Sequence, residues 1–127
     1  MTAASCHCGA VSVSPARRPD FMFDCNCSLC MKAGAQWGYY DPSEVDVVGR
    51  TSRYTRADHE GSTTEIHFCP NCGSTTHFSA VAGDRGMIGV NMRLYAPDEL
   101  VGIETRFPDG RNWSGEGEWG YYRGPRT

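Results

Sequence analysis

The chain has 127 residues, 39% of them apolar and 21% charged, a size and balance that suit one soluble domain with one modest core. A net charge of −3 with no basic cluster argues against nucleic-acid binding. No apolar run reaches membrane-spanning length, and residues 1–10 (MTAASCHCGA) lack a basic leader and an apolar stretch, so a cytoplasmic protein with no membrane partner is expected.

In chain order, short apolar alternations predict strands at residues 10–14 (AVSVS), 21–23 (FMF), 45–48 (VDVV) and 64–68 (TEIHF). Three more follow at 76–81 (THFSAV), 86–92 (GMIGVNM) and 103–107 (IETRF). PDFM, AGDRG and FPDGRN read as turns. Helix is confined to short pieces. CSLCMKAG holds about one turn ended by Gly34, and APDELVG another, with Pro97 at its start and Gly102 at its end. The expected fold is mainly β: antiparallel sheet in a single domain over residues 1–127.

Seven cysteines fall in three groups: Cys6 and Cys8; Cys25, Cys27 and Cys30; Cys69 and Cys72. The count is odd and the groups are tight, which fits metal-bound thiolates in a reducing compartment rather than a disulfide framework. CPNCG at 69–73 has the form of a zinc knuckle: proline and asparagine suit a tight turn, and Gly73 lets the chain fold back with amides facing the sulfurs. In CHCG, residues 6 and 8 point to one face of an extended segment. Cys6, Cys8, Cys69 and Cys72 together make a four-sulfur structural site.

Cys25, Cys27 and Cys30 then supply three ligands and one open position, the pattern of a catalytic zinc. Two alternatives stay open at this level. Two of these cysteines could complete the structural site, or His59, His67 or His77 could close the second one. His7, between two ligands, is expected to point away.

The order CHCGAV (6–11), CNCSLCMKAGA (25–35) and FCPNCGSTTHF (68–78) resembles the glutathione-dependent formaldehyde-activating enzyme family, which includes centromere-protein-V-like proteins. NMRLY (91–95) and FPDGRNW (107–113) are similar to one branch of it. The resemblance implies an Mss4-like fold of packed antiparallel sheets stabilised by zinc. It implies structural ligands at Cys6, Cys8, Cys69 and Cys72 and catalytic ligands at Cys25, Cys27 and Cys30, hence two zinc ions per chain. The implied activity is carbon–sulfur lyase chemistry on thiol–aldehyde adducts, with glutathione and formaldehyde as the type substrates. Met31 and Lys32 depart from the family, standing where an arginine-containing pair is common.

Such chemistry needs a cation near the cysteines, for which Lys32 is the first candidate, and a proton donor, for which Tyr39, Tyr40 and His59 are candidates. DGRNW (109–113) is read either as a hairpin turn with Trp113 packed inward or as a pocket wall presenting Arg111 and Asn112. A homodimer is the expected assembly. The rival reading is a non-catalytic zinc-binding module or thiol carrier in which both zincs are structural. A methionine sulfoxide reductase is disfavoured, because its nucleophilic cysteine must lie outside the metal sites and none follows Cys72.

Overall fold

A computed structural model describes residues 1–82 and 85–113, with the side chains of 81, 82 and 85 left aside. Among the described residues ten strands form two sheets joined by short helical pieces. The smaller sheet has the order β1 (Ala4–Ser5), β2 (Ser12–Pro15), β5 (Val45–Val48). The larger has seven strands. Its order is β10 (Glu104–Arg106), β3 (Phe21–Phe23), β4 (Trp37–Tyr40), β9 (Arg85–Asn91), β8 (Thr75–Ala82), β7 (Glu65–Phe68), β6 (Ser52–Thr55). Among the described residues no helix is long and apolar enough to cross a membrane.

All seven expected strands are present, within two residues at each end. Three strands carry no alternating signal. β1 is only two residues long. β6 is an edge strand, half-buried at Ser52 and exposed from Arg53 to Thr55, so it has no apolar face to show. β4 reads WGYY because it is central and covered on both faces. The pairing is mainly antiparallel, as expected, with one exception: β10 pairs in parallel with β3, Glu104 opposite Phe21 and Arg106 opposite Phe23.

The two faces of the large sheet differ. Met22, Tyr40, Ile88 and Val90 point toward the small sheet and pack with its Val13 and Val45 in the main core. Their strand neighbours Phe21, Phe23, Trp37 and Tyr39 therefore point the other way. On that second face α1 (Ser28–Ala33) sits over Trp37, Ile66 and Phe78. Trp37 is fully buried, with its ring edge-on to Phe78 at 4.8 Å. α1 begins at Cys27 and ends at Gly34, as its glycine predicts. The APDELVG turn forms over Pro97–Leu100.

Candidate metal centre

The cysteines gather into two groups, each with its sulfurs within 4.8 Å of one another: Cys6, Cys8, Cys69 and Cys72, and separately Cys25, Cys27 and Cys30. No histidine nitrogen joins either group among the described residues. The three-cysteine group does not lend ligands to the four-cysteine one, so that alternative is set aside. His67 and His77 face each other across β7 and β8, rings stacked at 4.2 Å, and bond to Ser79 and Thr76. Burial pushes the His77 imidazole down to about 4, so it sits neutral in the sheet. His7 is exposed, as expected.

The four-sulfur group links the two sheets. Cys6 follows β1 of the small sheet, and Cys69 follows β7 of the large one. Cys8 Sγ lies 3.7 Å from Cys6 Sγ and 3.6 Å from Cys69 Sγ. Four sulfurs at ~2.3 Å from one zinc stand about 3.8 Å apart, so this donor set fits a tetrahedral zinc. Backbone amides of Val11 and Asn71 donate to the sulfurs of Cys6 and Cys69 at 3.3 and 3.4 Å. Ser74, whose hydroxyl lies 3.3 Å from Cys72 Sγ, pulls that thiol down to about 5. Gly73 adopts φ +77°, and its N–H closes the knuckle on the Cys69 carbonyl at 2.8 Å.

The three-sulfur group is built by the β3–α1 connection. Cys27 caps α1, and its sulfur accepts from the Cys30 N–H at 3.3 Å, while its own N–H donates to Cys25 Sγ at 3.4 Å. Trp37 Nε1–H donates to Cys30 Sγ at 3.3 Å. The Arg56 guanidinium donates to Cys27 Sγ at 3.7 Å. The three thiols share protons unevenly. Hydrogen bonds from Cys25, then Cys30, hold the Cys27 thiol down at about 2, and serving as donors pushes Cys25 and Cys30 up. Without metal the group thus favours one thiolate, at Cys27, and zinc binding would release the protons of Cys25 and Cys30.

The cation bonded to the cysteine group is Arg56, through Cys27, and Lys32 is directed elsewhere. Lys32 is exposed in the last turn of α1, where a cation complements the helix C-terminus. Arg56 is fixed by a two-pronged pair with Asp58, at 2.6 and 3.1 Å, and Asp58 also accepts from Ser28 Oγ at 3.0 Å. That pairing holds Arg56 charged and the Asp58 carboxyl well below the usual carboxylate range. RYTRAD offers no pattern that marks Arg56 in advance; only its place after an edge strand brings it here.

The turn at 107–113 clamps the cysteine loop, and the return arm of the expected hairpin lies outside the described residues. Asn26 Nδ2 donates to Asp109 Oδ1, and the Arg111 N–H donates to Asn26 Oδ1, both at 2.8 Å. Asn112 bonds back to Asp109, and the Arg111 side chain is exposed, so neither makes the pocket wall; Gly110 and Trp113 do.

Cys25 and Cys27 lie at a cavity of about 1150 Å³ on the second face of the large sheet. One wall is aromatic: Phe21, Phe23, Tyr39 and Phe78. The other is the polar stretch 56–64, with Arg56, His59 and Thr64. Of the proton-donor candidates, Tyr39 and His59 line this cavity. Tyr40 does not: its hydroxyl is buried on the opposite face and donates to the Arg17 carbonyl at 3.0 Å.

A family model for the glutathione-dependent formaldehyde-activating enzyme matches residues 1–102. The chain belongs to this family. The match contains all seven cysteines and stops short of the 107–113 turn. Among solved structures, the chain is similar to a Rhodobacter sphaeroides protein determined by crystallography as a structural genomics target. The two share 25% identity and a TM-score of 0.64, over 82% of this chain and 99% of the other. No curated protein matches.

The clamp carries a prediction for this family member. A Cβ on Gly110 would stand 2.6 Å from Cys25 Sγ, closer than real contacts allow, and a tight 3.2 Å from Cys27 Cβ. Gly110→Ala must therefore lift the turn or displace Cys25. We expect it to lower zinc affinity at the three-sulfur group by ~10-fold or more, the scale of supporting-shell changes, with the other zinc retained. Competition with a colorimetric chelator reads both steps.

Proposed function

We propose that this protein is a zinc-dependent carbon–sulfur lyase of the S-(hydroxymethyl)glutathione synthase type, acting on thiol–aldehyde adducts in the cytoplasm. The observation that carries this reading is a three-thiolate group at a large cavity with no fourth protein donor among the described residues. The four-sulfur group is then structural.

Zinc bound by Cys25, Cys27 and Cys30 supplies the acidification that keeps an incoming thiol as thiolate at neutral pH. The chain's own residues do the rest. The cavity admits thiol and aldehyde together and holds them near Cys25 and Cys27. In the forward direction the thiolate sulfur attacks the carbonyl carbon; a C–S bond forms, the C=O π pair moves to oxygen, and the oxygen takes a proton. The reverse step removes that proton and breaks the C–S bond. Arg56, fixed by Asp58, offsets the negative charge of the cysteine group and of the developing oxyanion. Tyr39 and His59, which line the same cavity, are the candidates for the proton transfer.

The rival reading, with both zincs structural, draws on the burial of Cys25 and Cys27, 3% and 6% exposed. The deciding experiment pairs metal content of protein purified under reducing conditions with NMR exchange rates of glutathione–formaldehyde adduct formation. Two zincs per chain, one yielding to a mild chelator, with accelerated exchange, support the lyase. Two zincs that both resist chelation, with exchange at the uncatalysed rate, support the module. Arg56→Gln is expected to lower kcat/KM by ~10–100-fold, because a supporting partner of a ligand is lost. Arg56→Lys recovers only part, since lysine cannot bind both Asp58 oxygens and Cys27 from one rigid fork.

A further inference from the structure

The cavity is larger and more apolar on one side than a one-carbon aldehyde requires. A hydroxymethyl group takes roughly the space of two waters, ~60 Å³. The cavity, at about 1150 Å³, exceeds the ~300–1,000 Å³ typical of small-molecule sites. Its two walls differ in chemistry. The 56–64 stretch offers hydroxyls, an imidazole and charged groups, which suit the amides and charges of a peptide thiol such as glutathione. Opposite it, Phe21, Phe23, Tyr39 and Phe78 form a continuous aromatic ladder, with successive centroids 4.9, 4.8 and 5.6 Å apart and tilted or edge-on contacts. Phe78 is further packed edge-on against buried Trp37. Ala80, the next residue on the same face of β8, lines the cavity beside Phe78 with only a methyl group. A formaldehyde adduct has nothing to set against this wall.

We propose that the aromatic wall is a subsite for a ring-sized apolar group on the aldehyde carbon, so that the adducts handled are those of aryl or aralkyl aldehydes. This rests on the lyase reading above and names its substrate class. Ring-on-ring packing in edge or offset geometry adds to simple area burial, so the preference is measurable as affinity.

The test uses two stable thioethers, S-benzylglutathione and S-methylglutathione, which mimic the adducts of benzaldehyde and formaldehyde but cannot turn over. Calorimetric titration of the zinc-loaded protein should show S-benzylglutathione binding at least ~10-fold tighter, about 1.4 kcal/mol. Ala80→Trp fills the cavity beside Phe78 and should erase the preference; Phe23→Ala should reduce it. In parallel, the ratio of kcat/KM for benzaldehyde over formaldehyde, each with glutathione, should fall in both variants. Equal affinity for the two thioethers, or a preference that survives Ala80→Trp in a folded protein, overturns the subsite. Formaldehyde turnover with no benzyl preference defeats this inference and leaves the lyase reading intact. A benzyl preference without turnover of either aldehyde supports the subsite and defeats the lyase reading.

Discussion

Cys27→Ser should abolish adduct turnover, at least ~100-fold in kcat/KM, and release one zinc of two while the fold survives. The magnitude follows from the supporting shell, where changes alone cost ~10–100-fold; removing a ligand goes beyond that. Survival of the fold follows from local structure. Cys27 caps α1 through a side-chain acceptor for the Cys30 N–H, and serine is among the best residues for that role. The main core, between the sheets at Val13, Tyr40 and Val90, does not include this loop. Circular dichroism, a thermal melt and zinc content on the same sample read all three expectations. A melt lowered as far as by removal of the other zinc would make the second site structural and sink the lyase reading.

Cys69→Ser should leave no cooperatively folded protein at 25 °C. Cys69 is fully buried and packs with Cys6 and Val11 where the chain after β1 meets the end of β7. The four-sulfur group there ties the small sheet to the large one. Structural zinc sites contribute apparent binding free energies of ~10–16 kcal/mol, as large as the whole stability of a small domain at ~5–15 kcal/mol. Loss of one ligand therefore removes the margin on which the fold stands. A strong chelator should have the same effect on the native protein, only after the zinc held by three protein ligands instead of four has gone. Proton NMR dispersion is the readout; a native-like spectrum after both zincs are removed would show that apolar packing alone suffices.

Some of this was readable in the residues before any folding was considered. Strand segments such as FMF and VDVV alternate because one face is buried, and that pattern is local. β4 and β6 escaped for opposite reasons: Trp37–Tyr40 is covered on both faces, and Ser52–Thr55 buries almost nothing. Their positions depend on which strands flank them, which local pattern does not encode. The parallel β10–β3 pair likewise joins segments about 80 residues apart, and nothing near either segment announces the partner.

The same division holds at the site. Cysteine spacing by itself marked the three ligand groups, because thiolates two or three residues apart on a turn already converge on one ion; the fold decided that Cys6 and Cys8 join Cys69 and Cys72 while Cys25, Cys27 and Cys30 stand apart with no histidine among the described residues. The surroundings were decided by tertiary structure alone. Arg56 rather than Lys32 reaches Cys27 because α1 turns Lys32 to solvent while β6 delivers Arg56 over the helix start. Asn26 and Asp109 meet, and Gly110 closes on the sulfurs, because β10 lies beside β3 and carries the 107–113 turn with it. Ligand identity is a property of short stretches of chain, whereas charge, access and pocket shape arise between stretches, where the physics of packing acts across the whole fold.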